Sequence, residues 1–577
     1  MTDKRARNEI IKENSRQLRG TIAEGLRDAT TGAIAEDDQQ LVKFHGTYLQ
    51  DDRDLRAERT KKKLEKAFSF MIRVRLPGGV VTPKQWIALD DIAGTYANHT
   101  LRLTTRQTFQ FHGVLKSNMK RTMQALNAAV LDTIAACGDV NRNVLSVANP
   151  YLSPAHAAAY DLAGRISAHL LPRTGAYHEV WLDGEKVADQ SRPAGKNEEP
   201  IYGAHYLPRK FKTVVTVPPD NDVDIYAQDL GYIAILEDGE IVGWNVTVGG
   251  GMGMTHGEPD TFPRTADVLG FCTPEQAVEV AEKVVTVQRD WGNRENRKRA
   301  RLKYTIEDRG LDTFRAEVEK RLGYKLGTPR PFKFESTGDR IGWRKGPDGN
   351  QHLTLFVENG RIADRPGHAL RSALREIAGV HDGVFVCTSN QSVIIANVKS
   401  RARKKIEQIL ARRGVAIEVS SGLRRNSMAC VALPTCGLAL AESERYLPKL
   451  IGEIEQILDR VGLRDDDIVI RMTGCPNGCA RPYLAEIALV GRTPGVYNLY
   501  LGAAFDGSRL NKLYAADLKD ADIARTLQPI LERYAKQRKA GERFGDFVIR
   551  AGIVAATTAG NRFHADVGAR PAVVAAK

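Results

Sequence analysis

The sequence predicts an α/β fold built from a duplicated unit, and three echoes predict it. The segment LRLTTRQTFQFHGV (101–114) recurs weakly as VFVCTSNQSVIIANV (384–398), with Thr104 and Gln107 matched by Thr388 and Gln391. RNVLSVANP (142–150) recurs as RNSMACVALP (425–434), and YIAILEDGEIVGWNVTVGG (232–250) as EIALVGRTPGVYNLYLGA (486–503). Recurrence in one order marks a repeated structural unit. At 577 residues the chain also exceeds one hydrophobic core, since domains run to about 150 residues.

Taken in chain order, residues 1–65 read as a polar arm with short helices and no compact core. SFMIRVRLPGGVV (69–81) alternates up to a Pro-Gly-Gly turn and predicts a strand, while KQWIALDDIAGTYA (84–97) has helical spacing. Residues 101–112 predict a single strand. Arg102, Thr104, Arg106, Thr108, Gln110 and His112 fall on one side at period two, and Leu101, Leu103, Thr105, Gln107, Phe109 and Phe111 on the other. HAAAYDLAGRISAHLL (156–171) predicts an amphipathic helix and FKTVVTVPP (211–219) a strand; RPAVVAAK at the end reads as tail.

Composition excludes several classes. Apolar residues are 42% and charged residues 27%, ordinary for globular chains, so wholesale disorder, collagen and disulfide mini-proteins are out. No run approaches the apolar length of a membrane span, and the charged start lacks a secretory core, so a reducing cytoplasm is expected. The net charge of +14 is scattered; its densest run, Arg289 to Lys303, reads as a solvated helix face rather than an RNA site. Such a balance suits a protein that handles buried anions.

Seven cysteines are present, and four pair up: Cys430 and Cys436 as C-x5-C, Cys475 and Cys479 as C-x3-C, with 38 residues between the pairs. Both pairs lie in Pro- and Gly-containing turns, which bring thiolates together and free backbone N–H groups to bond sulfur. Four thiolates imply a metal centre. Zinc and a [4Fe–4S] cluster both accept four, and the five-residue gap leans towards iron. Cys137, Cys272 and Cys387 stand singly in apolar surroundings and read as core.

The polar face of 101–112 suits a planar ligand with many carboxylates, because guanidinium binds carboxylate bidentately; a solvated strand is the bland alternative. Arg73 and Arg75 share a face, as do Lys210 and Lys212. No P-loop occurs, and VGGGMGMTHG (248–257) fails the dinucleotide spacing, so a redox protein of this kind takes electrons from another polypeptide.

With these motifs the chain resembles the sirohaem and [4Fe–4S] nitrite/sulfite reductase family over nearly its whole length. FHGTYLQDDRDLRAER (44–59), TRQTFQFHG (105–113), YLPRKFK (206–212), RDWGNR (289–294), NSMAC (426–430), TGCPNGC (473–479) and GDFVIRAGI (545–553) carry the resemblance, closest to the haemoprotein branch fed by NADPH. The resemblance decides iron over zinc. It implies a cluster on Cys430, Cys436, Cys475 and Cys479, with Cys479 also bridging to the sirohaem iron. It implies Arg73, Arg142, Lys210 and Lys212 around the substrate anion, and Arg102, Arg106, Gln110, His112, Arg209 and Asn477 near the macrocycle. Thr105 departs from relatives that carry Asn, and Lys212, where nitrite-preferring relatives tend to have Asn, favours sulfite.

The implied fold is α/β with three domains around the cofactors: an arm at 1–65 that docks a flavoprotein, a ferredoxin-like domain at 66–134 plus 336–412, and repeat cores at 135–335 and 413–577. The implied activity is six-electron reduction of sulfite to sulfide for cysteine biosynthesis, with no nucleic-acid or membrane partner. A ferredoxin-fed sulfite or nitrite reductase is the near alternative. A zinc-structured nucleic-acid-binding protein, which would be colourless, is the distant one.

Overall fold

Largely buried apolar segments pair into four five-stranded sheets in the computed structural model, which describes residues 4–173, 179–182, 185–189 and 199–565. The predicted tail, 570–577, lies outside the described residues. The first sheet runs Thr47–Asp51, Phe68–Arg73, Phe109–Val114, Leu101–Leu103 and Arg361–Ile362. A second repeats its plan with Gly342–Lys345, Gln351–Leu355, Val393–Val398, Val384–Cys387 and Val80–Val81. Each borrows its last strand from the opposite half of the chain: Ile362 pairs with Leu101, and Val81 with Phe385. One core spans the two sheets, where Trp86 stacks on Phe385 with ring centroids 4.5 Å apart and meets Phe109 edge-on at 5.6 Å.

The third and fourth sheets are likewise copies. Leu145–Ser146, Thr213–Thr216, Leu230–Glu237, Glu240–Val248 and Asp267–Cys272 form one; Ser427–Ala429, Ile470–Thr473, Ile487–Thr493, Val496–Leu501 and Lys512–Lys519 form the other. Their first three strands are parallel and the rest antiparallel. Hydrogen bonds align them: Leu230 N donates to Lys212 O as Ile487 N does to Val469 O, and Val147 N to Val215 O as Cys430 N does to Met472 O. In this register Val147, Pro218 and Asp222 stand where Cys430, Cys475 and Cys479 stand.

Local signals account for the predicted helices. Thr82 and Gln85 form a reciprocal capping box with Pro83 in the first turn of Pro83–Tyr96, and Ser153 caps Pro154–His169. No helix among the described residues is long and apolar enough to cross a membrane.

Three expectations need correction. Residues 101–112 are a hairpin and not one strand: Gln107 takes φ 48°, Thr104 N donates to Thr108 O, and Arg102 pairs with Gln110 across the turn. The 289–303 stretch is no solvated helix, because the helix ends at Trp291, Lys303 is fully buried and Arg301 makes an ion pair with Asp229. The arm is packed: Ile11, Leu18, Leu41 and Phe44 enter one core, Ile34 and Val42 another, and Thr47–Asp51 is an edge strand. Long-range partners decide all three, and local periodicity does not register them.

Candidate active site

The thiols of the second copy sit on loops that leave its parallel strands, beyond Ser427–Ala429 and Ile470–Thr473. Gly474 N points at the Cys430 sulfur (3.4 Å) and Asn477 Nδ2 at the Cys475 sulfur (3.5 Å). Burial, then neighbouring thiolates, pushes Cys430, Cys436 and Cys475 up to about 12; Cys479 acts on each of the three. Three thiols that resist ionisation, set beside a fourth, become ligands only around a strongly cationic centre. Yet among the described residues no three His, Cys, Asp or Glu groups stand close enough to hold one ion. The donor set, four cysteine thiols on two loops, fits the four irons of a [4Fe–4S] cluster.

The loop between Cys475 and Cys479 is gripped from outside. Gly478 (φ 64°) lies so close to Met252 that a Cβ would come within 2.6 Å of its carbonyl oxygen, and Met254 N donates to Pro476 O at 2.8 Å. Lys303 secures the glycine-rich stretch involved, donating to Gly251 O (3.2 Å), Gly253 O (2.6 Å) and Phe262 O. The segment 248–257 is thus a brace for the cysteine loop. Arg481, two residues past Cys479, donates to Thr105 O (2.9 Å) and Ser389 O (3.0 Å), the matching turns of the two hairpins. Its guanidinium also meets Asp224, which bonds Arg471 at 2.6 Å. Asp224 and Arg481 hold equivalent positions in the two copies, so one buried ion pair closes the pseudo-symmetric interface. Burial pushes the Asp224 carboxyl up, but the two arginines outweigh it and hold it below its usual value.

The predicted cations gather from separate elements. Arg73, at the end of its strand, donates to the Cys137 sulfur (3.0 Å), and the Gln110 amide oxygen, turned towards it, accepts from Nη2 at 2.5 Å and Nε at 3.2 Å. Cys137 is therefore buried as expected of a core residue, yet it also accepts from a site arginine. Arg142, with Nε on Gly138 O at 3.0 Å, also bonds the Tyr48 phenol. Arg209, Lys210 and Lys212 share one segment. All three keep some accessible surface, but protein encloses them closely enough to desolvate their charges. Burial, then Arg209, Arg301 and Arg142, drives the Lys210 ammonium well down, with the Cys479 thiolate opposing; burial, then Arg106 and Lys210, does the same to Lys212. Arg209 falls to about 10.

Other predicted residues are engaged with protein. Arg102 donates to Glu444 (3.0 Å) and to the carbonyl of Ala429 (2.9 Å), the residue before Cys430; Arg361 shares Glu444. Arg106 donates to Asn143 O (3.1 Å) and Gln228 Oε1 (2.6 Å). His112 is buried, and that burial with Arg361, Arg102 and Arg73 nearby keeps its imidazole neutral. Thr105 Oγ1 reaches Cys479 O at 3.1 Å. Tyr48 and Lys43 were not singled out from the sequence. Burial, then Arg297, lowers Lys43 to about 8, and its ammonium lies 5.6 Å from the Tyr48 ring centre. Both fall within or beside FHGTYLQDDRD, part of a motif that carries the resemblance.

Asp222 replaces Cys479 in the first copy and is buried. Its Oδ2 accepts from Ala148 N at 2.8 Å while Oδ1 has no partner among the described residues, and burial raises its carboxyl to about 8. The folded chain thus holds a proton that the unfolded chain, with a carboxyl near about 3.9, releases. Its stabilisation is complete below the unfolded value and drains away as pH climbs through the folded one. Asp222→Asn keeps the Ala148 bond without this dependence, so the Tm difference between variant and parent should widen in the variant's favour from about pH 5 to about pH 8.5. Parallel melting curves would refute the assignment.

The family described as "Nitrite and sulphite reductase 4Fe-4S domain" matches residues 162–326, the copy without the cysteine quartet. "Nitrite/Sulfite reductase ferredoxin-like half domain" matches 62–129 and 344–413, the two sheets with exchanged strands. The chain is 65% identical over 570 residues to a protein of Methylobacterium nodulans named sulfite reductase [NADPH] hemoprotein beta-component, covering 98% of this chain and 94% of that one. A protein of the same name from Geobacillus kaustophilus is 59% identical, covering 96% and 97%. The solved NirA protein of Mycobacterium tuberculosis shares the fold, with a TM-score of 0.75 at 24% identity over 94% of this chain and 96% of that one.

Proposed function

The chain belongs to the nitrite and sulfite reductase family, and on that footing we propose that it is the haemoprotein component of an assimilatory sulfite reductase. It reduces sulfite to sulfide with electrons drawn from NADPH through a flavoprotein partner, in the cytoplasm. The observation that supports the reading is that the hairpin bearing the predicted cations lies against the cysteine loops, with Arg102 on the carbonyl of Ala429 and Thr105 on that of Cys479, while Lys210 is near enough to Cys479 for the two charges to act on each other. Under this reading the arm 1–65 serves the partner, 66–134 plus 336–412 form the ferredoxin-like domain, and 135–335 and 413–577 are the two repeat cores.

Cys430, Cys436, Cys475 and Cys479 would hold the [4Fe–4S] cluster, and Cys479, the exposed thiol, would also ligate sirohaem. Arg102, Arg106, Gln110, His112, Arg209 and Asn477 would border the macrocycle. When bound, the two groups would supply electrons singly for the reduction. Sulfite, six electrons and seven protons give hydrosulfide and three waters, so the protein must hold a dianion and supply protons. Arg73, locked by Cys137 and Gln110, and Arg142 present fixed positive charge to its oxygens. Lys210 and Lys212, with ammonium groups pushed down by burial and neighbouring arginines, release protons more readily than free lysine and hand them to the departing oxygens. Lys212 favours sulfite over nitrite.

The test is an anaerobic absorption spectrum of the chain made in a sirohaem-producing host. Sirohaem bands that shift on adding sulfite are expected, with turnover supported by NADPH and the flavoprotein and not by ferredoxin. A colourless protein, or a spectrum unmoved by sulfite, would overturn the reading.

A further inference from the structure

Backbone entering the Arg209–Lys212 segment is irregular and buried, with Tyr206 at φ 54°. Buried carbonyls outside a helix or sheet need donors from elsewhere. Three consecutive carbonyls here find three different cations: Arg294 Nη2 on Tyr206 O at 2.7 Å, Lys12 Nζ on Leu207 O at 2.8 Å, and Arg297 Nη1 on Pro208 O at 3.1 Å. Two buried carboxylates neutralise them. Glu9 bonds Lys12 at 2.7 Å and also Arg294; Asp139 bonds Arg297 at 2.7 and 3.0 Å and stands 3.7 Å from Lys12. Glu9 and Lys12 keep 2% and 3% side-chain exposure, values that surface ion pairs never reach.

The same strip is pinned along its other edge. Leu207 N donates to Asp139 O, Phe211 N to Val140 O, and Arg142 N to Phe211 O, each at 3.0 Å. Arg142 and the 209–212 cations are thus set by one hydrogen-bonded frame, and the middle carbonyl of its entry depends on a single ammonium from the helix Arg7–Glu13. That helix lies in the arm, about two hundred residues away in sequence.

We propose that Lys12 and Glu9 are positioning residues for the substrate-binding cations, so that the arm sets the geometry of the anion site. This rests on the functional reading above. Removing Lys12 strands Leu207 O and leaves Glu9 and Asp139 short of a counter-charge, and the strip relaxes away from its productive position. It does not touch the cysteine loops.

Lys12→Met in the full chain carrying its cofactors is expected to raise the sulfite KM about tenfold with a smaller change in kcat. Amide hydrogen exchange at Leu207 and Phe211 should quicken, while exchange at Cys436 and Ala439 stays as in the parent. Unchanged exchange and KM would overturn the proposal, and so would a lower Tm alone, which is all a merely structural contact predicts. Should Lys12→Met not accumulate folded, Glu9→Gln decides by the same two readouts. Failure of the functional reading is separate: a parent chain that turns over no sulfite refutes that reading, and the exchange comparison still judges the strip.

Discussion

Lys210→Met should lower sulfite turnover with a reduced artificial donor by about 10²–10⁴-fold, the usual range for removing a positioned proton donor. Methionine keeps the length of the stem and removes only the ammonium. The backbone stays put because Phe211, next in sequence, is held through both its N–H and its carbonyl. Sirohaem and cluster absorption should therefore remain, and the loss should fall on kcat and on sulfite binding. The largely exposed Lys333, at 81% side-chain exposure, supplies the control, since Lys333→Met should leave turnover unchanged. Turnover of Lys210→Met within twofold of the parent, both cofactors being present, would remove Lys210 from the chemistry.

Cys475→Ser should abolish the iron–sulfur absorbance, whereas Cys272→Ser and Cys387→Ser should retain it. All three thiols are buried, so burial alone does not separate them. Cys475 is coupled to Cys479 and Cys436, while burial is the sole influence raising Cys272 and Cys387. A serine hydroxyl ionises far less readily than a thiol and is a poor ligand for iron. Iron analysis after anaerobic reconstitution is the measurement. Equal iron in the three variants would mean that the quartet is not the cluster site.

Much of this site was legible in the chain. The two cysteine pairs, the Arg-Lys-x-Lys segment and the three echoes are local patterns, and each is a short run whose chemistry depends on residue type and spacing. The helices at 83–96 and 154–169 were equally plain, because their caps lie beside them. The turn at 104–108 was not. Alternation continued across it, and only a left-handed Gln107, whose side-chain amide donates to Ser146 O and accepts from Ser146 N, breaks the strand.

By itself, the sequence determined the duplicated α/β plan, the thiol quartet and the identity of the cations. Tertiary structure alone decided which charges are buried and what each one serves. The run 289–303 has the composition of a surface, yet Arg294, Arg297, Arg301 and Lys303 grip Tyr206, Pro208, Asp229 and the glycine-rich brace. It also decided the exchange of edge strands between the hairpin sheets, and the union of Asp224 with Arg481 across the two copies. The reason is electrostatic. A charge can be buried only when its partners, here tens to hundreds of residues away, arrive to replace water, and no local pattern encodes where they come from.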